Sequence, residues 1–158
     1  MWYIMAPSPV TVSIDVPQNR ADVYAFLDVM ANHESFTDHL LTNWRVSGPP
    51  TGVGAKAEVT VKSGGMSDEA TFEVIEVEDG RMIKERNWAA KGKRVATGTY
   101  VLSDLPSGGT HIEFTFAFEQ VPGRERPLVP LMRRMIRRGN ERSMTRLAEQ
   151  LAALPTPA

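Results

Sequence analysis

Arg86 and Glu73 are the residues of this sequence placed to do chemistry together. An arginine keeps its charge in any protein environment. On an apolar face it must therefore be met by a carboxylate or by an oxygen of a ligand. A guanidinium held that way can polarise a carbonyl. Whether Arg86 lies on such a face depends on how the strands around it pair. Ser107-Gly108 reads as a two-residue hairpin loop, which sets Val101 opposite Phe114 and Thr99 opposite Phe116. Ile112, Phe114, Phe116 and Phe118 then share a face with Val101, Thr99 and Thr97. A phenylalanine stripe must be the buried one, each ring contributing about 1.5–3 kcal/mol. The Lys91-Gly92 turn pairs Trp88 with Val95 and Arg86 with Thr97. Arg86 is thus expected on the inner face beside Trp88, with Glu73 of the neighbouring strand as its partner, both as candidate catalytic residues. A slip of one residue reverses every face and leaves Arg86 in solvent. Ile83, Tyr100 and Leu102, apolar residues on the supposed outer face, speak for that alternative.

A second group, His33, Asp38 and His39, offers a His–Asp pair for proton transfer if it faces a cavity, although such clusters are more often solvated loop residues. The sequence has no nucleophile elbow, zincin motif, P-loop or dinucleotide fingerprint. It has no cysteine, and its three histidines, His33, His39 and His111, are too scattered to suggest zinc by spacing. No metal and no cofactor are expected.

The elements that must position these residues follow from periodicity. Residues 10–16 alternate as a half-buried strand, Pro17 and Asn19 break it, and Asn19 is placed to cap a helix over 22–30. Residues 33–40 read as a further helical turn or two. Strands follow at 41–47, 55–62, 68–78, 81–90, 94–105 and 110–120, separated by short Gly- and Pro-containing turns, hence antiparallel. In 68–78 the alternation changes phase, which predicts a bulge near Val74. Residues 127–154 form one long amphipathic helix of about 40 Å, with Pro127 and Pro130 in its first turns and Pro155 ending it. The result is an α+β domain, a seven-stranded antiparallel sheet covered by its last helix.

On that helix Gly139 and Ser143 fall on the same arc as Leu128, Met132 and Ile136. Two readings of these small residues stand: room for a ligand, or close packing against a bulky side chain. Under the first, the ligand site near the helix takes in Met135, Gly139, Asn140 and Ser143, with Asn140 able to orient a carbonyl. Its sheet side takes in Trp44, Phe72, Trp88, Thr99, Phe114 and Phe116. These aromatics are equally read as core.

With 158 residues, 42% of them hydrophobic, the chain is expected to be one domain, core about 9–153, with tails at 1–8 and 155–158. The opening MWYIMAPSP lacks a basic start and is interrupted by Pro7, so it is not read as a signal peptide. No run is long enough to span a bilayer, and the lack of cysteine leans towards a reducing, cytoplasmic location. Residues 121–158 hold eight Arg and three Glu, a local charge of +5 against −1 for the whole chain. Arg133, Arg134, Arg137, Arg138 and Arg142 make a basic band, with Arg137–Glu141 as one internal pair. The band reads either as a solvated face or as a surface for an acidic partner or membrane. Without interleaved aromatics it is not expected to bind nucleic acid. Monomer and dimer both remain open.

The order strand, two short helices, six strands, long helix resembles that of the START and birch-pollen-allergen superfamily, the helix-grip fold. Details are similar to its bacterial polyketide cyclase/dehydratase-like branch: VTVSIDVPQNRADVYAFLDVMANHESF at the opening, Gly52-Val53-Gly54 before the third strand, and Ser107-Gly108-Gly109-Thr110-His111-Ile112 entering the last. The resemblance covers roughly 9–153, and Phe36 stands where many members have Trp, which implies a place for it at the mouth of the ligand site. It implies that the sheet grips the helix and that a small hydrophobic, aromatic or polyketide-like molecule binds between them. The alternatives are an aromatase/cyclase or dehydratase, and an interaction protein acting through the arginine face. Polar groups on the inner wall would favour an enzyme, and a wholly apolar wall a carrier.

Overall fold

The computed structural model describes residues 7–155 except Gly64. The expected terminal tails therefore lie largely outside the described residues. The chain runs β1 (Val10–Val16), α1 (Arg20–Asp28), a 3-10 turn (Met30–His33), α2 (Glu34–Thr37), and then β2 (Leu41–Ser47) and β3 (Lys56–Ser63). β4 (Met66–Glu78), β5 (Met82–Ala89), β6 (Arg94–Asp104) and β7 (Thr110–Gln120) complete the sheet. A second 3-10 turn (Gly123–Leu128) leads into α3 (Val129–Ala152).

The seven strands form one antiparallel sheet in the order β1-β7-β6-β5-β4-β3-β2, so only β1 pairs away from its sequence neighbour. This is the helix-grip fold. α1 starts two residues earlier than the periodicity suggested, because Asn19 caps it: its side chain accepts from the Asp22 N–H at 2.9 Å. Arg20 fixes the start of α1 to the end of the sheet where β1 leaves it, donating to the Gly80 carbonyl at 2.9 Å and to Asp104 at 3.0 Å. The long helix opens later than expected. Pro127 belongs to the 3-10 turn, and Pro130 is the second residue of α3, where no backbone donor is required. The β4 bulge falls between Val74 and Glu76, as the phase change in its sequence requires.

α3 packs differently along its length. Met144, Leu147 and Leu151 belong to the main core, with Phe36, Ile83, Tyr100, Leu102, Ile112 and Phe114. Its first half, through Val129, Met132 and Ile136, covers a smaller cluster of Ala96, Phe118 and Val121. Phe116 touches both clusters.

Candidate functional site

The inner wall of the sheet is set by its strand registers. Val74 pairs with Glu85, Glu85 with Gly98, Gly98 with Phe116, and Phe116 with Val10. One row of the sheet thus runs Val74–Glu85–Gly98–Phe116–Val10, leading to the phenylalanine that joins the main core to the cluster under the first half of α3. Glu85 is the polar member of that row, and it is buried.

Arg86 is not on this wall. It faces the other way and is half-exposed, its Nη2 and Nε lying 3.1 and 3.3 Å from Glu119 Oε1. The expected pairing of Arg86 with Thr97 and of Trp88 with Val95 is present. The β6–β7 pairing is one residue away from expectation. Asp104 pairs with Thr110, leaving a five-residue loop, 105–109, closed by bonds from the Leu105 N–H to the Gly109 carbonyl and from the Gly108 N–H to the Leu105 carbonyl. Tyr100, not Val101, therefore stands opposite Phe114, and the phenylalanine stripe shares its face with Leu102, Tyr100 and Gly98. Thr97, Thr99 and Val101 turn outward, and Arg86 and Trp88 with them. Glu73 does pair with Arg86 in register, but on the outer face, and its carboxylate is 3.1 Å from Lys56 Nζ.

The residues brought inside instead are Glu85 and Tyr100. The Glu85 carboxylate makes no hydrogen bond or ion pair among the described residues, and burial pushes its pKa up to about 7. Gly98 makes this arrangement possible. A Cβ there would lie 2.8 Å from Phe114 Cζ and 3.5 Å from Glu85 Oε1, so the bare backbone lets ring and carboxyl close over the strand. The Tyr100 ring lies 4.6 Å from that of Phe114 and meets His33 edge-on at 5.7 Å. Burial, and then the Glu85 charge, raise the phenol well above its usual range. His33 is buried with Nε2 2.7 Å from the Leu27 carbonyl. Burial lowers its pKa, so the ring is neutral and donates from Nε2. Phe36, fully buried, packs 5.3 Å from it. An acid, a phenol and a neutral imidazole thus line one aromatic region.

On the helix side the two readings of Gly139 and Ser143 separate. A Cβ on Gly139 would lie 2.7 Å from Leu40 Cδ1, so Leu40 fills the space that the sequence left open for a ligand. Ser143 donates to the Gly139 carbonyl at 3.0 Å and sits 3.4 Å from His39 Nε2. Arg146 donates to His39 Nδ1 at 2.8 Å and pairs with Asp38. An arginine can only donate, so Nδ1 accepts and the ring proton sits on Nε2, aimed at the Gly139 carbonyl at 3.0 Å. His39 therefore has no lone pair left to activate Ser143. His33 lies apart in the core, so the expected His–Asp group is a clamp between α2 and α3 rather than a proton relay. Asn140 differs: its Nδ2 is buried and without a partner among the described residues.

The other expected positions divide between the two faces. Trp44 stacks on Phe72 at 6.4 Å, both partly buried against the main core. Phe116 meets Phe118 edge-on at 5.0 Å. Thr99 and Trp88 lie on the outer face, Trp88 lining a depression of about 300 Å³ with Glu58, Glu69, Thr71 and Lys91. Met135 is exposed. A second depression, of about 420 Å³, opens between Lys93, Gln120, Val121 and Arg124, against the cluster beneath the first half of α3.

The family described as "Polyketide cyclase / dehydrase and lipid transport" matches residues 9–153. No curated protein sequence matches. Among solved structures, TTHA0849 from Thermus thermophilus is 18% identical with a TM-score of 0.74, covering 92% of this chain and 98% of its own. The Zhui aromatase/cyclase from Streptomyces sp. R1128 is 14% identical with a TM-score of 0.73, over 92% and 93% of the two chains. Ara h 8.0201 is 9% identical with a TM-score of 0.65, over 93% and 99%. At these identities the structures show the shared fold alone.

Proposed function

Since the chain belongs to the polyketide cyclase / dehydrase and lipid transport family, we propose that it binds a small, largely apolar molecule between the inner face of the sheet and α3, with Glu85 as the polar group that meets it. The observation that carries this reading is the buried Glu85 carboxyl, without a hydrogen-bond partner among the described residues, on a largely apolar wall. An unpaired buried acid lowers stability. A ligand hydroxyl or carbonyl would supply the missing bond. Asn140, whose buried amide also lacks a partner, offers a second contact from the helix.

The test compares naphthalene with 2-naphthol, equal in shape but differing by one hydroxyl, through quenching of tryptophan fluorescence. The wild-type protein is expected to prefer 2-naphthol, and Glu85→Leu to lose roughly five- to ten-fold of that affinity, the worth of one hydrogen bond. Failure to bind either compound up to its solubility, or a preference unchanged in Glu85→Leu, overturns the proposal.

A second reading, cyclase or dehydratase chemistry, is favoured by one observation: a carboxyl with a pKa of about 7 can take and return a proton near neutrality, here beside Tyr100. In a dehydration it would take the proton next to a carbonyl and hand it to the leaving hydroxyl, which departs as water. Glu85→Gln separates the readings, because it keeps a hydrogen-bonding group but cannot carry the proton.

A further inference from the structure

The basic band on α3 is two sets of arginines with different work. Arg133 donates to the carbonyls of Ser8 at 2.9 Å and Pro9 at 3.3 Å, and Arg137 to that of Thr11 at 3.1 Å. These two hold the helix to β1, the edge strand, so Arg137 is spent there and makes no ion pair with Glu141 among the described residues. Arg134, Arg138 and Arg142 point away from the sheet, exposed and without hydrogen bond or ion pair among the described residues.

Apolar side chains lie among them. Leu128 is 53% exposed, Leu131 56% and Met135 38%. At 100° per residue, Leu131, Arg134, Met135, Arg138 and Arg142 fall within an arc of about 100°, opposite the side that packs on the sheet. Arg124 and Arg126, exposed in the preceding 3-10 turn, extend the same positive end, and Glu125 is taken by Arg94 at 2.6 Å.

We infer that this face docks on an anionic phospholipid surface, with Leu131 and Met135 entering the headgroup–acyl boundary and Arg134 and Arg138 binding lipid phosphates. Guanidinium forks match phosphate oxygens, and their aliphatic stems lie along apolar surface while the charge stays at the headgroups. Exposed leucine and methionine among unpaired arginines suit a bilayer boundary, which offers both environments at once. A nucleic acid would want aromatic platforms, and this face has none. The inference stands apart from the choice of ligand. If both hold, docking sets the part of α3 that covers the cluster around Phe118 against the membrane, where an apolar cargo would be exchanged.

The test is flotation of the full chain with unilamellar vesicles of phosphatidylcholine alone or with about one-third phosphatidylglycerol, each at low and high salt. The expected result is binding to the anionic vesicles at least ten-fold tighter than to the neutral ones and weakened by salt, since each basic side chain near such a surface contributes roughly five-fold. Arg134→Gln with Arg138→Gln, and separately Leu131→Ser with Met135→Ser, should each lower binding ten-fold or more, while Arg45→Gln on the sheet leaves it unchanged. All the altered side chains are exposed, and circular dichroism checks that the variants fold. No preference for anionic vesicles overturns the inference. So does loss in the arginine pair alone, which would mark electrostatic adsorption without entry of Leu131 and Met135 into the headgroup–acyl boundary.

Discussion

The two faces of the sheet carry the same kinds of side chain and treat them in opposite ways. Outside, Arg86 meets Glu119, Lys56 meets Glu73 and Asp15 meets His111, every pair at least partly open to solvent. Inside, the buried carboxyl Glu85 lies against Gly98 beside the ring of Phe114, with no countercharge among the described residues, while Asp68, on the same face near the end of β4, is met by Arg94. Charges that water can screen are cheap to keep and contribute little. A buried carboxyl without a partner has its charged form disfavoured, and it is the one with energy to gain from a ligand. Adjacent residues, 85 and 86, thus differ more in their physics than residues at opposite ends of the sheet.

The sharpest way to break this contrast is to empty a ring position on the inner wall. Phe114→Ala should lower stability by about 3–5 kcal/mol, since it removes the ring that covers Gly98 and packs on Tyr100. Thr115→Ala, the next residue and on the outer face, loses a hydroxyl contact to Thr11 at 3.0 Å and should cost no more than about 1 kcal/mol. Urea denaturation measures both. Equal costs would mean that the two faces are not the ones described.

The second prediction concerns pH. Below about 4.5, the ordinary value for the group, Glu85 is protonated whether the chain is folded or not. Between there and about 7 the unfolded chain releases the proton while the folded chain keeps it, so stability falls as pH rises. Above about 7 this group adds no further slope. Glu85→Gln should remove the effect. Relative to wild type the variant should gain, on the order of 3 kcal/mol, between about pH 4.5 and 8. The comparison must be a difference between the two proteins. Surface carboxylates such as Glu69, whose pKa the Thr60 hydroxyl and then Arg45 lower, work in the opposite sense at lower pH. Parallel stability–pH curves would show that Glu85 reaches water.

How much of this could be read from the sequence depends on the scale of the question. The element order, the long last helix, the Asn19 cap and the β4 bulge follow from local pattern, because caps, periodicity and phase changes are decided within a few residues. The inner wall does not follow so easily. It depends on a single turn. Ser107-Gly108 looks like a two-residue loop, but the bonds between Leu105 and Gly109 and between Gly108 and Leu105 close five residues, and that one-residue difference inverts β6 and then β5. The warning was present in the composition of the two candidate faces. One assignment turns Thr97, Thr99 and Arg86 inward and Ile83, Tyr100 and Leu102 outward; the other turns the apolar set inward and brings Glu85 in with it as a buried carboxyl. Gly139 is undecided in the sequence for another reason: whether a small residue makes room or receives a neighbour depends on Leu40, far away in the chain and invisible to helical projection.

The smallest expected effect falls on Arg86, and it is the most direct check of which face is which. On the inner wall, Arg86→Met would relieve an underpaired charge and should stabilise the empty protein while weakening a carbonyl-bearing ligand. On the outer face, the same change removes an ion pair whose two side chains are 36% and 39% exposed. Such pairs are worth about 0–1 kcal/mol, because water already screens them and ordering two long side chains offsets the attraction. Arg86→Met should therefore shift the urea midpoint slightly, in the destabilising direction if at all, and leave 2-naphthol affinity at the wild-type value. Measured beside Glu85→Gln, it compares neighbouring positions of one strand: the inner change should move pH dependence and binding, the outer one neither. Should Arg86→Met raise stability and weaken the probe, then Arg86 lies on the inner wall, and the assignment of Glu85 as its unpaired buried carboxyl gives way to a pair.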